Sequence, residues 1–159
     1  MPRRPRLAYR DIASATNRLT LIAAIVPADA VTTHTLFCLK TALPLDAQHV
    51  LCALLNSFVA NYLVRFRVNT HVTVSLVSRL PVPGLDPHGR DFSRLAALAR
   101  TLMHSPTPAE QQPEYCELQG IVARRYGLSE AHFGHVLSTF PLIPDEVKAQ
   151  CLTYFAALR

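Results

Sequence analysis

His132 and His135 lie three apart, a spacing that puts both on one helix face and that could serve a metal. Few carboxylates accompany them, so we expect a surface pair and no metal site. Cys38, Cys52, Cys116 and Cys151 are widely spaced, and no pair has the gap of about two to four residues found in a zinc knuckle. We expect four reduced thiols that behave as small hydrophobes. The run Pro144-Asp145-Glu146-Val147-Lys148 imitates fragments of a nuclease signature. In nucleases such acids converge from separate strands onto Mg²⁺. Here they are consecutive at the start of a predicted helix, where the dipole favours acids in any case. No Gly-rich loop follows a strand to cradle a nucleotide or S-adenosylmethionine. No Asn-Pro-Pro-Tyr or Asp-Pro-Pro-Tyr segment is present, and no Ser stands beside a base in a strained elbow. The chain therefore reads as non-enzymatic on its own, with no cofactor.

What remains is polar and basic chemistry in two places. Thr16-Asn17-Arg18 occupies a predicted turn, and Arg65, Arg67, Asn69, Thr70, His71 and Thr73 occupy the exit from a predicted helix. These residue types can grip phosphates or read base edges. Charge distribution points the same way. Residues 1–79 hold nine Lys/Arg against three Asp/Glu, whereas residues 80–159 hold seven against eight. The whole positive excess thus lies in the first half, opened by Arg3, Arg4, Arg6 and Arg10. Such asymmetry suits an anionic partner, because each neutralised phosphate releases condensed counterions. A basic surface tuned for solubility, with loop polarity as ordinary solvation, is the competing explanation.

The elements that must position these residues follow from patterning. Half of the 159 residues are apolar and 17% are charged, enough for one packed domain spanning 1–159. Residues 7–13, 19–26 and 32–43 read as strands, with the first two paired antiparallel across the Ala15-Thr16-Asn17-Arg18 turn. Asp46 offers an N-cap for one long helix over residues 46–66, with Leu51, Leu54, Leu55, Phe58 and Tyr62 on its apolar face. Arg65 and Arg67 at its end also suit the helix dipole. Residues 72–80 alternate like a strand and end at Pro81-Val82-Pro83-Gly84. Beyond them the pattern is helical. Asp91 is placed as a cap, Thr107-Pro108 as a helix start, Gly127 as a left-handed C-terminal cap and Ser129 as an N-cap. Pro144 suits a first helical position. The predicted fold is α+β, a small mainly antiparallel sheet with one long core helix in residues 1–83, followed by a bundle of short helices in 84–159. The greasiest window, residues 49–64, is too short and too polar to cross a bilayer, and MPRRPR is not followed by a secretory apolar core. A cytoplasmic protein with no membrane contact is expected.

Three blocks resemble one family. RLAYRDIASATNRLTLIAAIVP (residues 6–27), LLNSFVANYLVRFRVNTHVTVSLVSRLPVP (residues 54–83) and RRYGLSEAHFGHVLSTFPLIP (residues 124–144) occur in order. They are similar to the region downstream of the catalytic domain in large type IIG-like adenine-specific restriction–modification DNA methyltransferases. The resemblance implies a C-terminal target-recognition region that grips double-stranded DNA while a catalytic domain, absent from this chain, flips and methylates an adenine. S-adenosylmethionine would belong to that missing domain. Arg10, Asp11, Thr16, Asn17 and Arg18 match the first block, Asn56, Ser57, Thr70 and His71 the second, and Gly127 and Pro141 the third. Asn56 and Ser57 are expected to satisfy buried polar groups, and Gly127 and Pro141 to serve backbone geometry.

The expected DNA-binding residues are Arg6, Arg10, Thr16, Asn17, Arg18, Lys40, Arg65, Arg67, Asn69, Thr70, His71 and Thr73, with Arg6 and Lys40 on the phosphate backbone. A separate methyltransferase or nuclease subunit is the expected protein partner. The rival from another class is a protein–protein interaction subunit that docks through its helical half, or an inactive fragment of such an enzyme.

Overall fold

The computed structural model describes residues 3–158 and is α+β. Strands β1 (Arg6–Arg10), β2 (Ala23–Val26) and β3 (Leu36–Cys38) form an antiparallel sheet in the order β2-β1-β3. The expected pairing of the first two segments is present, with Leu7 opposite Ile25 and Tyr9 opposite Ala23. The predicted polar turn is also present, since Asn17 Oδ1 accepts from the Ser14 N–H at 2.7 Å. Both later strands are shorter than the β-compatible runs that contain them. Tyr9 packs on Phe37 across the β1–β3 pair, with ring centroids 5.5 Å apart. Alternation along β1 turns Leu7 and Tyr9 to one face and Arg6, Ala8 and Arg10 to the other.

The single helix expected over residues 46–66 is two helices, α1 (Leu45–Leu55) and α2 (Phe58–Arg65), bent by 58°. Ser57 causes the break. Its backbone is extended, and its hydroxyl accepts from the Ala60 N–H as the N-cap of α2 while donating to Leu54 O at 2.7 Å. The buried backbone groups freed by the bend find a partner on α5 (Pro113–Arg125). Gln119 Oε1 accepts from the Phe58 N–H at 2.8 Å, and its amide donates to Asn56 O at 3.4 Å. The Asn-Ser pair is therefore a hinge between two helices, where continuous apolar spacing suggested one.

Residues 72–80 are not a strand. Thr73 caps a single turn, α3 (Val74–Val77), its hydroxyl accepting from the Leu76 N–H. Sheet pairing there is reduced to one bridge between Ile12 and His71, because β1 already has a neighbour on each edge. A capping Thr outweighed the β-branched composition of this short segment.

The helical part contains α4 (Arg90–Met103), a 3₁₀ turn (Ala109–Gln111), α5, α6 (Glu130–Ser138) and α7 (Asp145–Ala157). Asp46 and Asp91 sit inside first turns, and Pro44 and Gly89 occupy the cap positions expected of them. Thr107-Pro108 leads into the 3₁₀ turn, and α5 itself starts at Pro113. Pro144 stands one residue before α7. Gly127, at φ 70°, closes α5 as expected, and the Ser129 hydroxyl caps α6. Among the described residues no single helix is long and apolar enough to cross a membrane.

Three apolar clusters share α1 and α2. One joins Leu7, Leu21, Val64 and Val72 beneath the sheet. A second packs Phe58 with Phe133, Phe140 and Phe155 between α2 and the last three helices. The third sets Val50 and Leu54 against Leu95, Leu98 and Leu118. At Gly120, α5 approaches α7 so closely that a Cβ would lie 2.9 Å from the Phe155 nitrogen. Replacing this mid-helix glycine with alanine is predicted to lower stability by about 1–2 kcal/mol, as read by urea unfolding, although helix propensity alone favours alanine by about 1 kcal/mol.

Candidate nucleic-acid interface

The two polar regions singled out in the sequence, 47 or more residues apart at their anchoring contacts, are stitched together in space. At one end the backbone of residues 11–13 pairs with residues 70–72. Val72 donates its N–H to Asp11 O at 2.7 Å, and Ala13 donates to Thr70 O at 3.1 Å. The side chains continue the seam, with His71 Nδ1 at 3.0 Å from Asp11 Oδ2. At the other end Arg65 reaches out of the last turn of α2 and donates to Asn17 O and Arg18 O.

Arg65 is consequently a structural residue. It also donates to Thr139 O at 2.8 Å, and its guanidinium carbon lies 4.0 Å from the centre of the Phe140 ring. Burial pulls its pKa below the usual arginine range without a carboxylate to offset it. Two other expected contact residues are committed in the same manner, whereas Thr16 and Arg18 stay exposed. Arg6 donates to Ala30 O at 2.8 Å, and Arg10 to Leu19 O at 3.3 Å, both from the face of β1 opposite Leu7 and Tyr9. Arg18 pairs with Glu110 at 2.9 Å. Asn17 holds its own turn, and the Thr16 hydroxyl meets Ser14 Oγ at 2.9 Å. Asn56 and Ser57 satisfy backbone groups, the task expected of them.

Arg67, Asn69, Thr70, His71 and Thr73 are exposed along the loop after α2, and Lys40 is exposed beyond β3. Arg79, absent from the sequence-based selection, joins Arg67. With Thr73, Ser75 and Leu76 the two arginines line a hollow of about 530 Å³. Two guanidiniums and two hydroxyl side chains thus face one space, and neither arginine has an ion-pair partner among the described residues. A sequence signal for Arg79 exists: residues 47–85 contain no Asp or Glu, so cations there have no local acid to meet. Beside the hollow's residues in sequence stand apolar side chains open to solvent, Phe66 next to Arg67 at 72%, Val74 between Thr73 and Ser75 at 58% and, across the seam, Ile12 at 56% exposure.

The helical half offers little comparable surface. Among the described residues, only Met103 and Leu142 of the exposed large apolar side chains lie beyond residue 83. His135 packs edge-on to Tyr62, and among the described residues no group of three His, Cys, Asp or Glu converges. Burial pushes the Cys52 thiol up to about 12, and such a thiol is a poor nucleophile at neutral pH. No protein-family model, curated protein or solved structure matches this chain.

The geometry separates two arginines that the sequence grouped together. Arg65→Ala is predicted to lower stability by about 2–3 kcal/mol, because three backbone carbonyls lose a charged donor and Phe140 its cation. Arg67→Ala is predicted to change it by less than about 0.5 kcal/mol, as at other exposed sites. Thermal or urea unfolding of the two variants side by side checks the contrast.

Proposed function

We propose that this protein is a non-catalytic module that recognises double-stranded DNA in concert with a methyltransferase or nuclease subunit of the restriction–modification kind. The observation that carries this reading is the acid-free hollow lined by Arg67, Arg79, Thr73 and Ser75. Guanidiniums flanked by hydroxyls are suited to phosphate oxygens, which accept several hydrogen bonds and carry the charge that arginine neutralises. Asn69, Thr70 and His71, exposed on the same loop, bring groups able to meet base edges. Exposed Phe66 adds an apolar wedge of the type that can press against base steps. The three sequence blocks that resemble type IIG-like adenine-specific enzymes supply the biological setting, with S-adenosylmethionine and methyl transfer assigned to the catalytic partner.

The rival reading, a docking subunit that uses its helical half, draws no support from surface chemistry, since the exposed apolar side chains concentrate in residues 1–83. Internal contacts of Arg6, Arg10 and Arg65 centre the interface on the loop after α2, with exposed Thr16, Arg18 and Lys40 as outlying contacts.

Fluorescence anisotropy with a mixed-sequence duplex, from roughly 50 to 200 mM salt, tests the proposal. Affinity is predicted to fall steeply with salt. Arg67→Ala and Arg79→Ala are each predicted to weaken binding to all sequences alike and to flatten the salt slope by about one. Absence of binding at the lowest salt would overturn it.

A further inference from the structure

We propose that the cavity along the free edge of β2 binds a small molecule that carries a primary carboxamide on an apolar body. Strand order places β2 at one side of the sheet. Ala23, Ala24 and Ile25 all line a cavity of about 620 Å³, within the range of roughly 300–1,000 Å³ typical of small-molecule sites. Successive side chains on a strand point to opposite faces. A cavity bordered by all three residues therefore runs along the strand's edge.

Hydrogen bonding alternates along an antiparallel pair, so the register decides which groups of β2 face outward. Arg10 donates its N–H to Ile22 O at 2.9 Å, which makes Arg10 and Ile22 a bonded pair and, two residues back along β1, Ala8 and Ala24 another. Ala23 and Ile25 fall at the alternate positions, opposite Tyr9 and Leu7. Leu7 accordingly turns away from β2, its N–H to Gln48 Oε1 and its oxygen to the Leu39 N–H. The N–H and C=O of Ala23 and Ile25 thus point away from β1. At Ala23 the Asn56 carboxamide meets them, its oxygen accepting at 3.0 Å and its nitrogen donating at 2.9 Å. At Ile25, among the described residues, nothing does.

Ile25 is only 8% exposed, and backbone groups so buried are almost always paired. One donor and one acceptor side by side on a cavity wall call for a single group that presents both. Asn56 shows, on the same strand, that a primary carboxamide fits this spacing. An added β-strand fits less well, because Asn56 already closes the neighbouring position. The remaining walls define the body of the ligand. Leu102, Met103 and Leu118 form an apolar surface, and Ala53 and Ala99 leave room between α1 and α4. The charged groups of the lining are engaged, Arg10 with Leu19 O and Arg18 with Glu110, which leaves a neutral ligand favoured. This inference does not rest on DNA binding.

4-Phenylbutanamide is a suitable probe, and 5-phenylpentan-2-one is its isostere, with a methyl group in place of the amide nitrogen. Titration of the amide into ¹⁵N-labelled full-length protein is predicted to move the Ile25 amide proton downfield, with smaller shifts at Ala53 and Ala99. The expected Kd is on the order of 0.1–1 mM. The ketone keeps the acceptor and the apolar body but cannot donate to Ile25 O, and is predicted to bind about tenfold more weakly. Ala99→Leu, which fills the cavity from α4, should abolish binding of both. The comparison of amide with ketone is made on the parent protein and decides the matter whether or not that variant folds. Equal affinity for the two compounds would overturn the proposal. So would shifts that leave Ile25 unmoved, or none at millimolar amide.

Discussion

The chain between β1 and β2 has almost no sheet to lean on, and side-chain carboxamides hold it in place. Asn61 is buried on α2. Its Oδ1 accepts from the backbone N–H groups of Thr20 and Leu21, both at 2.8 Å, and its amide donates to Leu21 O at 3.1 Å and Ser57 O at 3.0 Å. Asn56 repeats the arrangement one step along, accepting from the Ala23 N–H at 3.0 Å and donating to Ala23 O at 2.9 Å. Each amide mimics the pairing that a neighbouring strand would give, so a helix serves as the edge partner of an extended segment. This is possible only because the helix breaks at Asn56 and Ser57, which turns both asparagines toward residues 20–23. Gln48 does half of this for β1, accepting from the Leu7 N–H at 2.9 Å while its amide donates to Leu43 O at 3.0 Å. Removing any of these side chains would leave buried backbone groups unsatisfied, a larger penalty than the loss of one hydrogen bond.

From that clasp the rest of the candidate interface's geometry follows. Once residues 20–23 are fixed against α2, the loop before them lies within reach of Arg65, which ties it to the C-terminal helices through Thr139 and Phe140. The same placement sets Asp11 and Ile12 beside His71, and so fixes both ends of the loop that carries Arg67, Asn69 and Thr73. Arginines thus divide into those consumed by folding and those left to solvent. Arg6, Arg10 and Arg65 belong to the first group, Arg67 and Arg79 to the second, and Arg18, half exposed beside Glu110, stands between them. The division follows backbone geometry, as carbonyls at strand and helix ends attract guanidiniums wherever water is excluded.

Much of this was legible in the residues. Antiparallel pairing of the first two strands, the turn at Asn17, and the caps at Gly127 and Ser129 all rest on local chemistry that a sequence displays directly. The helix break did not show, because Leu54, Leu55, Phe58 and Tyr62 keep helical spacing through it, and the partner that makes it affordable, Gln119, is 61 residues from the Phe58 amide it accepts from. The 72–80 segment was misread because β-branched composition is a weak guide where a capping Thr is present. Of the site, the loop after α2 stood out by residue type. Nothing local distinguished Arg65 from Arg67, since its carbonyl partners lie in the first loop and beyond α6. The cavity beside Tyr115 was equally hidden, being assembled from elements spread between residues 10 and 118.

Hydrogen–deuterium exchange of the full-length protein with and without a mixed-sequence duplex, at about 50 mM salt, tests most directly whether the loop after α2 is the DNA-facing surface. Slowed exchange is predicted over residues 66–79 and the paired residues 11–13, with the helices beyond residue 90 unchanged. Protection confined to those helices, or none anywhere while the duplex is bound, would contradict the assignment.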